Sequence, residues 1–398
     1  MQKERTTITR RRLLAGAAAV GAGGVLAGAA PGLAAAQPDS RLVPLWKPAW
    51  KQGIVYGGSI STWMYLPDPA YGRLFGNQVA MLWPEDDFLW WRVRPSPTSG
   101  LNFSRPDVIV NFAERNNMHV LGAPGLVWDQ GFGSGWTHQD LWGMSKKQAS
   151  EVLFSTVRAM VRRYRGKVAA WIVCNEVTSP YGKNGLRTDV PWYQTIGPGY
   201  VAEAFHQAHE EDPHALLLLN EYGFQTIDQY GNKPVPRQKA MLEVIDNLLA
   251  QKVPVHGLGM ESHLLATDFA ERFNRAEFRT FMREVADRGL KLVLTEMDVL
   301  DNGLPAAIGP RDLGVAEVYD RYLDCALEEE AVICVIQYGL SDKWTEENQD
   351  NPRKDGLPRR PCPFDNRMRP TPAFYAIEDA MGNAPWRHPY WIPPKARG

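Results

Sequence analysis

The sequence predicts a single (β/α)8 TIM barrel, because short apolar runs alternate with amphipathic stretches after residue 50. The first two runs start 25 residues apart and the later ones 37 to 48 apart, which is long enough for a helix and a return to a parallel strand. The runs are apolar throughout, as expected for strands covered on both faces. The eight runs begin near Ile54, Val79, Val120, Val168, Leu216, Val255, Leu292 and Val332.

The stretches between the runs carry helical periodicity and helix boundary signals. Apolar residues recur at spacings of three and four, which predicts helices with one face packed on a sheet. An open doubly wound sheet is the alternative, but a glycine-rich phosphate turn is missing from the pattern. The periodic residues are Leu153, Val157, Met160 and Tyr164, then Met241, Ile245 and Leu248; Ser104 with Pro106 and Gly197-Pro198 mark starts, and Gly166 and Gly289 mark stops.

Composition indicates a folded, nearly neutral protein. Of 398 residues, 44% are hydrophobic and 22% charged, and 44 Lys and Arg oppose 45 Asp and Glu. The chain body has no long basic run, which argues against a nucleic-acid partner. We expect one catalytic domain over residues 37–383 and a Pro-rich C-terminal tail over 384–398, in a protein that is by default a monomer.

The first 36 residues are predicted to be a twin-arginine signal peptide. Three arginines at 10–12 precede two leucines, then an Ala/Gly-rich stretch ends in three alanines at 34–36. A membrane anchor is the alternative, but Ala and Gly are only weakly hydrophobic. We therefore expect a periplasmic or secreted protein without stable membrane insertion after cleavage.

Cysteine and histidine patterns predict neither a metal site nor a cofactor. The four cysteines lack ligand spacing, and the eight histidines are scattered. An exported protein can form a disulfide, but the sequence assigns no pair.

Carboxylates follow several of the predicted strands, at the barrel end where active sites lie. The fourth strand runs into Asn175-Glu176, the sixth into Glu261-Ser262-His263 and the seventh into Thr295-Glu296. Partial burial and like charge should raise at least one of their pKa values. Two carboxylates on the fourth and seventh strands suit glycoside hydrolysis, with Glu176 and Glu296 as the pair. Taken one at a time, Asp87, Glu221 and Asp298 are interpreted as solvated loop carboxylates.

These residues resemble glycoside hydrolase family 10, the retaining endo-β-1,4-xylanase family. The segment 171–176 reads W-x-x-x-N-E and 294–299 contains T-E-M-D, as in that family. Further similarity occurs at 126–128, 220–222, 257–264 and 370–377, within a span of roughly residues 55–381. The resemblance implies that Glu176 is the acid/base, that Glu296 is the nucleophile and that Asn175 binds the sugar 2-hydroxyl.

The resemblance also implies further substrate-binding residues. His263 would hold the nucleophile, and aromatic side chains would wall the sugar site, although core packing is the alternative for each Trp. The expected substrate-binding set is Asn175, His263, Glu261, Trp128, Tyr222, Glu85, Asp86, Tyr338 and Trp344.

The sequence departs from the family where the sugar on the non-reducing side is held. Asp86 and Leu89 replace an amide and a lysine, and Glu261 replaces a glutamine. Two family histidines are absent around Ala123 and Asp129, and Tyr338 replaces a tryptophan. Because lost hydrogen-bond partners change the accepted sugar, we expect a polysaccharide or oligosaccharide substrate other than simple xylan. A strongly anionic sugar is disfavoured unless Arg92 or Arg94 compensates.

Two alternatives to a hydrolase remain. A non-catalytic carbohydrate-binding barrel would keep the cleft without turnover, and retention of both glutamates speaks against it. A transglycosylase would use the same covalent intermediate with a sugar as acceptor. The sequence does not separate hydrolysis from transglycosylation, or endo from exo action.

Overall fold

The computed structural model describes residues 42–122, 124–227, 231 and 233–391, and the predicted leader over residues 1–36 lies outside them. Eight parallel strands pair in a ring, which closes because the last strand pairs with both the first and the seventh. The single (β/α)8 barrel is therefore confirmed. The strands are β1 (Val55–Ile60), β2 (Met81–Pro84), β3 (His119–Gly122), β4 (Ala170–Asn175), β5 (Thr178–Lys183), β6 (Leu216–Glu221), β7 (Gly257–Met260), β8 (His263–Leu265), β9 (Lys291–Leu300) and β10 (Val332–Gln337), of which β5 and β8 lie outside the ring.

The helices surround the ring and follow the predicted periodicity. The apolar positions expected to face the sheet are buried on α7 and α10, and Gly166 and Gly289 have positive φ values of 73° and 81° just after helices. The helices are α1 (Trp46–Lys51), α2 (Thr62–Tyr65), α3 (Pro69–Gln78), α4 (Trp90–Val93), α5 (Ser104–Arg115), α6 (His138–Trp142), α7 (Lys146–Arg163), α8 (Pro191–Ile196), α9 (Tyr200–Glu211), α10 (Pro234–Ala250), α11 (Ala266–Arg272), α12 (Arg275–Asp287), α13 (Ile308–Ala326), α14 (Glu347–Asp350) and α15 (Pro372–Asn383).

Side chains alternate between the inside of the barrel and the helix layer. On β6, Leu216 and Leu218 belong to a small cluster that fills the barrel, whereas Leu217 and Leu219 pack in the larger cluster under the helices. The next residue on the inner side of β6 is Asn220. The alternation therefore brings a polar side chain to the upper end of an apolar interior.

Irregular strand pairing occurs on the two strands that carry the predicted catalytic motifs. Between β4 and β6 the register shifts at Ile172/Cys174, and both Val173 and Cys174 lie in the outer cluster. Between β10 and β9 it shifts so that Val335 faces Leu294 and Gln337 faces Met297. A bulge changes which face the following side chains occupy, so Asn175 and Glu296 are directed towards the barrel mouth.

The amino end of the barrel is covered by both terminal parts of the described chain. Trp46 and Trp50 from α1 and Trp391 pack against the inner cluster. Residues 384–391 thus lie against the barrel, while the remainder of the predicted tail, 392–398, is outside the described residues. Along the described ranges, no helix is long and apolar enough to cross a bilayer.

Candidate active site

A cleft of about 410 Å³ lies at the carboxyl ends of the strands. Its walls come from β2, β4, β8 and β9 and from the segments that follow β2, β3, β4, β6, β7 and β10. The lining includes both predicted catalytic glutamates, Glu176 and Glu296. The two side chains therefore share one groove, as glycoside hydrolysis requires.

Glu296 is buried and surrounded by hydrogen-bond donors. The Nδ2 atom of Asn220 donates to Glu296 Oε1 at 2.9 Å, and Nε2 of His263 lies 3.5 Å from Oε2. Only 8% of the residue is exposed. Donors of this kind stabilise an ionised carboxylate, so the surroundings of Glu296 suit a nucleophile.

Glu176 lies in an environment that favours its neutral form. Burial raises its pKa to about 8, and the negative charges of Glu221, Glu296 and Asp129 act in the same direction, while the Trp128 N–H lowers it. Gln130 Nε2 donates to Glu176 Oε2 at 3.2 Å. A carboxyl group with such a pKa holds its proton at neutral pH and can act as a general acid.

Asn220 connects the residues around the two glutamates. Its Nδ2 atom lies 2.7 Å from Asn175 Oδ1, 2.9 Å from Glu296 Oε1 and 3.3 Å from Glu261 Oε1. Thr295 Oγ1 donates to Asn220 Oδ1 at 2.6 Å, which fixes the orientation of the amide. The sequence placed Asn220 in a motif without a role of its own, although it follows an apolar strand just as Asn175 does.

His263 is surrounded by acids. Its Nδ1 atom lies 2.9 Å from Asp298 Oδ1. Burial alone would lower the pKa of His263, but the charges and hydrogen bonds of Asp298 and Glu296 raise it well above its usual value. These neighbours therefore favour the protonated imidazole, which can donate to both carboxylates. Two sets of side chains around it could also gather a metal ion, Glu261 with His263 and Glu296, and His263 with Asp298 and Glu347.

Comparison with known proteins identifies the family. The model of glycosyl hydrolase family 10 matches residues 46–380 of this chain. The chain belongs to glycosyl hydrolase family 10. It is 30% identical over 321 residues to endo-1,4-beta-xylanase B of Thermotoga neapolitana, covering 79% of this chain and 85% of the relative. Over 343 residues it is 27% identical to a beta-1,4-xylanase of Dictyoglomus thermophilum, covering 84% and 90%.

Solved structures agree with this family assignment. Native xylanase 10B of Thermotoga maritima superposes with a TM-score of 0.74 at 28% identity, covering 85% of this chain and 98% of that one. Xylanase 10B of Thermotoga petrophila in complex with xylobiose gives a TM-score of 0.75 at 28% identity, covering 86% and 98%. The protein is thus a glycoside hydrolase similar to endo-1,4-β-xylanases.

Most of the predicted site residues of this family 10 enzyme meet at the cleft. Trp344 is outside the lining: its ring packs 5.8 Å from that of Trp63 and 6.1 Å from that of Tyr71, and its N–H donates to Asp68 at 3.1 Å. The predicted residues that line the cleft are Glu85, Asp86, Trp128, Asn175, Glu176, Tyr222, Glu261, His263, Glu296 and Tyr338.

Three acids interpreted from sequence as solvated are instead fully buried, so that interpretation was wrong. Asp87 accepts hydrogen bonds from the backbone and hydroxyl groups of Thr62. Glu221 accepts from Thr178 and the Tyr222 N–H, and Arg237 lies 3.3 Å away. Asp298, the third, is paired with His263. Each has a polar partner that offsets desolvation, which a sequence read one acid at a time does not reveal.

The residues that replace family contacts are paired within the chain. Arg92 donates to Asp86 at 2.8 Å, so it compensates one added acid as anticipated. Arg94 does not compensate an acid of the cleft, because it donates instead to Thr156 Oγ1 and the Val152 carbonyl on α7. Arg187 lies 2.8 Å from Asp129. Two of the added negative charges are therefore neutralised next to the cleft.

The loop after β10 contributes lining residues that were not predicted. Glu346, Glu347 and Asp350 line the cleft, and Glu346 is close enough to Glu85 to raise the pKa of that carboxyl group. Burial raises the pKa of Glu346 to about 6, helped by Asp350 and Asp86. Burial and Asp298 raise that of Glu347 to about 7, while His263 lowers it. The acidic run at 346–350 was a usable sequence signal, whereas nothing in the sequence singled out Gln130.

Proposed function

We propose that this family 10 enzyme is an exported, retaining endo-β-glycanase that hydrolyses a polysaccharide other than plain xylan by double displacement. The observation that carries the proposal is the contrast between the two glutamates of the cleft. Glu176 has a raised pKa of about 8, while Glu296 receives hydrogen bonds from cleft donors. One is suited to give a proton and the other to attack as an anion.

In the first step, Glu176 protonates the glycosidic oxygen while a carboxylate oxygen of Glu296 bonds to the anomeric carbon. The leaving sugar departs with the bonding electrons and the proton. In the second step, ionised Glu176 removes a proton from water, and the water oxygen displaces Glu296 from the anomeric carbon. Retaining enzymes place the two carboxyl groups about 5 Å apart. Hydrogen bonds link Glu176 to Asn175 at 3.4 Å, Asn175 to Asn220 at 2.7 Å and Asn220 to Glu296 at 2.9 Å, which supports placing both groups around one sugar linkage.

Product stereochemistry tests this mechanism. We expect ¹H NMR of a hydrolysis in progress to show the β-anomer first, with the α-anomer growing in by mutarotation. Glu176→Gln should abolish hydrolysis of unactivated substrates while keeping binding, since the amide cannot donate the required proton. An α-anomer as first product would overturn the retaining mechanism.

Substrate preference is proposed from the charges of the cleft. Among its described lining residues are eight carboxyl groups, one His and neither Lys nor Arg. Although Asp86 is paired with Arg92 and Glu176 holds its proton, the described lining offers an anionic sugar no lysine or arginine partner, so such a sugar should bind poorly. We expect glucuronoxylan to be hydrolysed more slowly than the same polymer after reduction of its carboxyl groups to alcohols.

A panel of neutral β-linked polysaccharides tests the rest of the substrate proposal. A neutral polymer other than unsubstituted xylan should give the highest kcat/KM. Unsubstituted xylan as the best substrate, or faster hydrolysis of native than of carboxyl-reduced glucuronoxylan, would contradict the proposal.

Export is proposed from the arginine motif and the Ala/Gly-rich stretch at the start of the chain. Changing Arg10 and Arg11 to lysine should retain the protein inside the producing cell. Fractionation of cells that express the two forms measures this, and equal export of both would contradict a twin-arginine route.

A further inference from the structure

The backbone of Glu176 adopts a conformation that most residues avoid. Its φ angle is +53°, in the left-handed region, which costs a residue with a Cβ about 1 kcal/mol or more. The backbone N–H of Glu176 donates to the carbonyl of Asn220 at 3.0 Å. This conformation directs the side chain into the cleft, and it needs contacts on both sides of the residue to persist.

Arg187 supplies the contact on the other side. Its Nη1 atom donates to the backbone carbonyl of Glu176 at 3.1 Å. The same guanidinium binds Asp129 through Nη1–Oδ1 at 3.2 Å and Nη2–Oδ2 at 2.8 Å. The side chains of Arg187 and Asp129 are 20% and 15% exposed, so water screens the pair only partly.

Both partners are held on segments that lead to the acid/base. The backbone N–H of Arg187 donates to Val177 O at 2.8 Å, where the chain returns from β5. Asp129 stands between Trp128 and Gln130, which both line the cleft. Gln130 Nε2 donates to the Glu176 carboxyl group at 3.2 Å. The ion pair of Arg187 and Asp129 therefore connects the segment that contacts the Glu176 side chain with the backbone of Glu176 itself.

We infer that Arg187 and Asp129 form a positioning pair that holds Glu176 where it can protonate the departing glycosidic oxygen. Neither residue reaches the reacting atoms. The inference rests on the proposed role of Glu176 as acid/base. It is specific to this chain because Asp129 stands where the family pattern has a histidine, and a carboxylate there gives the guanidinium a two-point partner.

Leaving-group dependence tests the inference. Aryl β-xylobiosides with phenol, 4-nitrophenol and 2,4-dinitrophenol leaving groups differ in how much proton donation they need. For Arg187→Met we expect kcat/KM to fall roughly 10- to 100-fold for the phenyl substrate and less than about 3-fold for the dinitrophenyl substrate, because general acid catalysis typically contributes 10²- to 10⁴-fold. Arg187→Lys keeps the positive charge but loses the two-point hydrogen bonding of the guanidinium. Its loss of kcat/KM should lie between those of the wild type and Arg187→Met.

Asp129→Asn adds a second readout, the pH profile. Glu221, Glu296, Asp129 and Glu261 are the acids that face Glu176. Removing the charge of Asp129 should move the alkaline limb of kcat/KM to lower pH. Because the charge of Asp129 acts directly on Glu176, positioning is read from the leaving-group dependence of Asp129→Asn, which should match that of Arg187→Met. A residue that merely stabilises the fold would lower the unfolding temperature and change all three substrates by the same factor.

Two controls separate the possible failures. Arg92→Met removes a comparable ion pair, 2.8 Å long, at the carboxyl end of β2, and should change all three substrates by the same factor. Glu176→Ala reports on the proposed function itself. If Glu176→Ala shows the leaving-group dependence and Arg187→Met does not, the positioning role is wrong. If Glu176→Ala shows none, the acid/base assignment is wrong.

Discussion

The two glutamates of the cleft differ because of their immediate neighbours. Glu296 accepts a hydrogen bond from the amide of Asn220 and lies beside His263, whose pKa is raised by the acids around it. Glu176 also accepts from side-chain amides, those of Gln130 at 3.2 Å and Asn175 at 3.4 Å, but it lies close to the acids Glu221 and Asp129. The acids around Glu176 favour its protonated form, whereas the donors around Glu296 suit an attacking carboxylate.

Enzyme activity should fall as the pH rises through about 8. Burial raises the pKa of Glu176 to about 8, with Glu221, Glu296 and Asp129 adding to the effect. The acid works only when protonated, so kcat/KM for phenyl β-xylobioside should be lost above that pKa. The 2,4-dinitrophenyl substrate, which needs little proton donation, should not show this loss of kcat/KM at high pH. A phenyl profile that already falls near pH 5 would contradict the raised pKa.

Individual acids were harder to interpret from sequence than the catalytic pair. The position of Glu176 and Glu296 just after apolar runs was sufficient to bring them to one cleft, although β9 continues through Glu296 to Leu300. Asp87 and Asp298 also come shortly after apolar runs, but their burial depends on the hydroxyl of Thr62 and the ring of His263, which are distant in sequence. The position of the Trp344 ring likewise depends on its contacts with Trp63 and Tyr71, which are distant in sequence and meet it only in the folded protein.

At the scale of elements, the strands were predictable because each is a continuous apolar run with a fixed spacing to the next. All eight predicted starts fall within two residues of those observed. The register shifts on β4 and β9 were not predictable, since Val173 and Leu294 look like any other strand residue. These bulges orient the catalytic motifs, so the sequence indicates which residues form the site more directly than how they are oriented.

Glycines on β7 make room for the site. A Cβ at Gly259 would lie 2.2 Å from Asn220 Oδ1 and 2.8 Å from Thr295 Cγ2. Gly259→Ala should therefore displace the Asn220 amide, destabilise the protein by roughly 1–3 kcal/mol and lower kcat at least about 10-fold through Glu296.

Denaturant unfolding and steady-state kinetics of Gly259→Ala measure both effects. Gly100→Ala is the matched control, because a Cβ at Gly100 meets nothing within 4 Å. It should be neutral in both assays. Wild-type kcat in a folded Gly259→Ala protein would show that the amide position does not matter for Glu296.

At the scale of the whole molecule, the two ends of the barrel have separate tasks. The carboxyl end carries the cleft, while the amino end is closed by α1 and by the segment after α15. Arg387 is the main contact of that segment: its backbone N–H donates to Gln52 O at 3.0 Å. Its guanidinium donates to Val332 O and Leu327 O at 2.6 Å and to Glu329 O at 2.8 Å.

Loss of the Arg387 side chain should lower stability and leave the chemistry unchanged. Arg387→Ala leaves three backbone carbonyls without this donor at the end of α13 and the start of β10, which should cost about 2–4 kcal/mol and lower Tm by several degrees. Burial lowers the pKa of Arg387 to about 10, so the charge persists at neutral pH.

Since β10 separates these carbonyls from the cleft by about 17–20 Å, the kcat/KM of Arg387→Ala at 25 °C should equal that of the wild type. Calorimetry and kinetics of Arg387→Ala beside the exposed control Arg367→Ala check this. An unchanged Tm would contradict the stabilising role of Arg387, and lost activity in a folded variant would show that the two barrel ends are not independent.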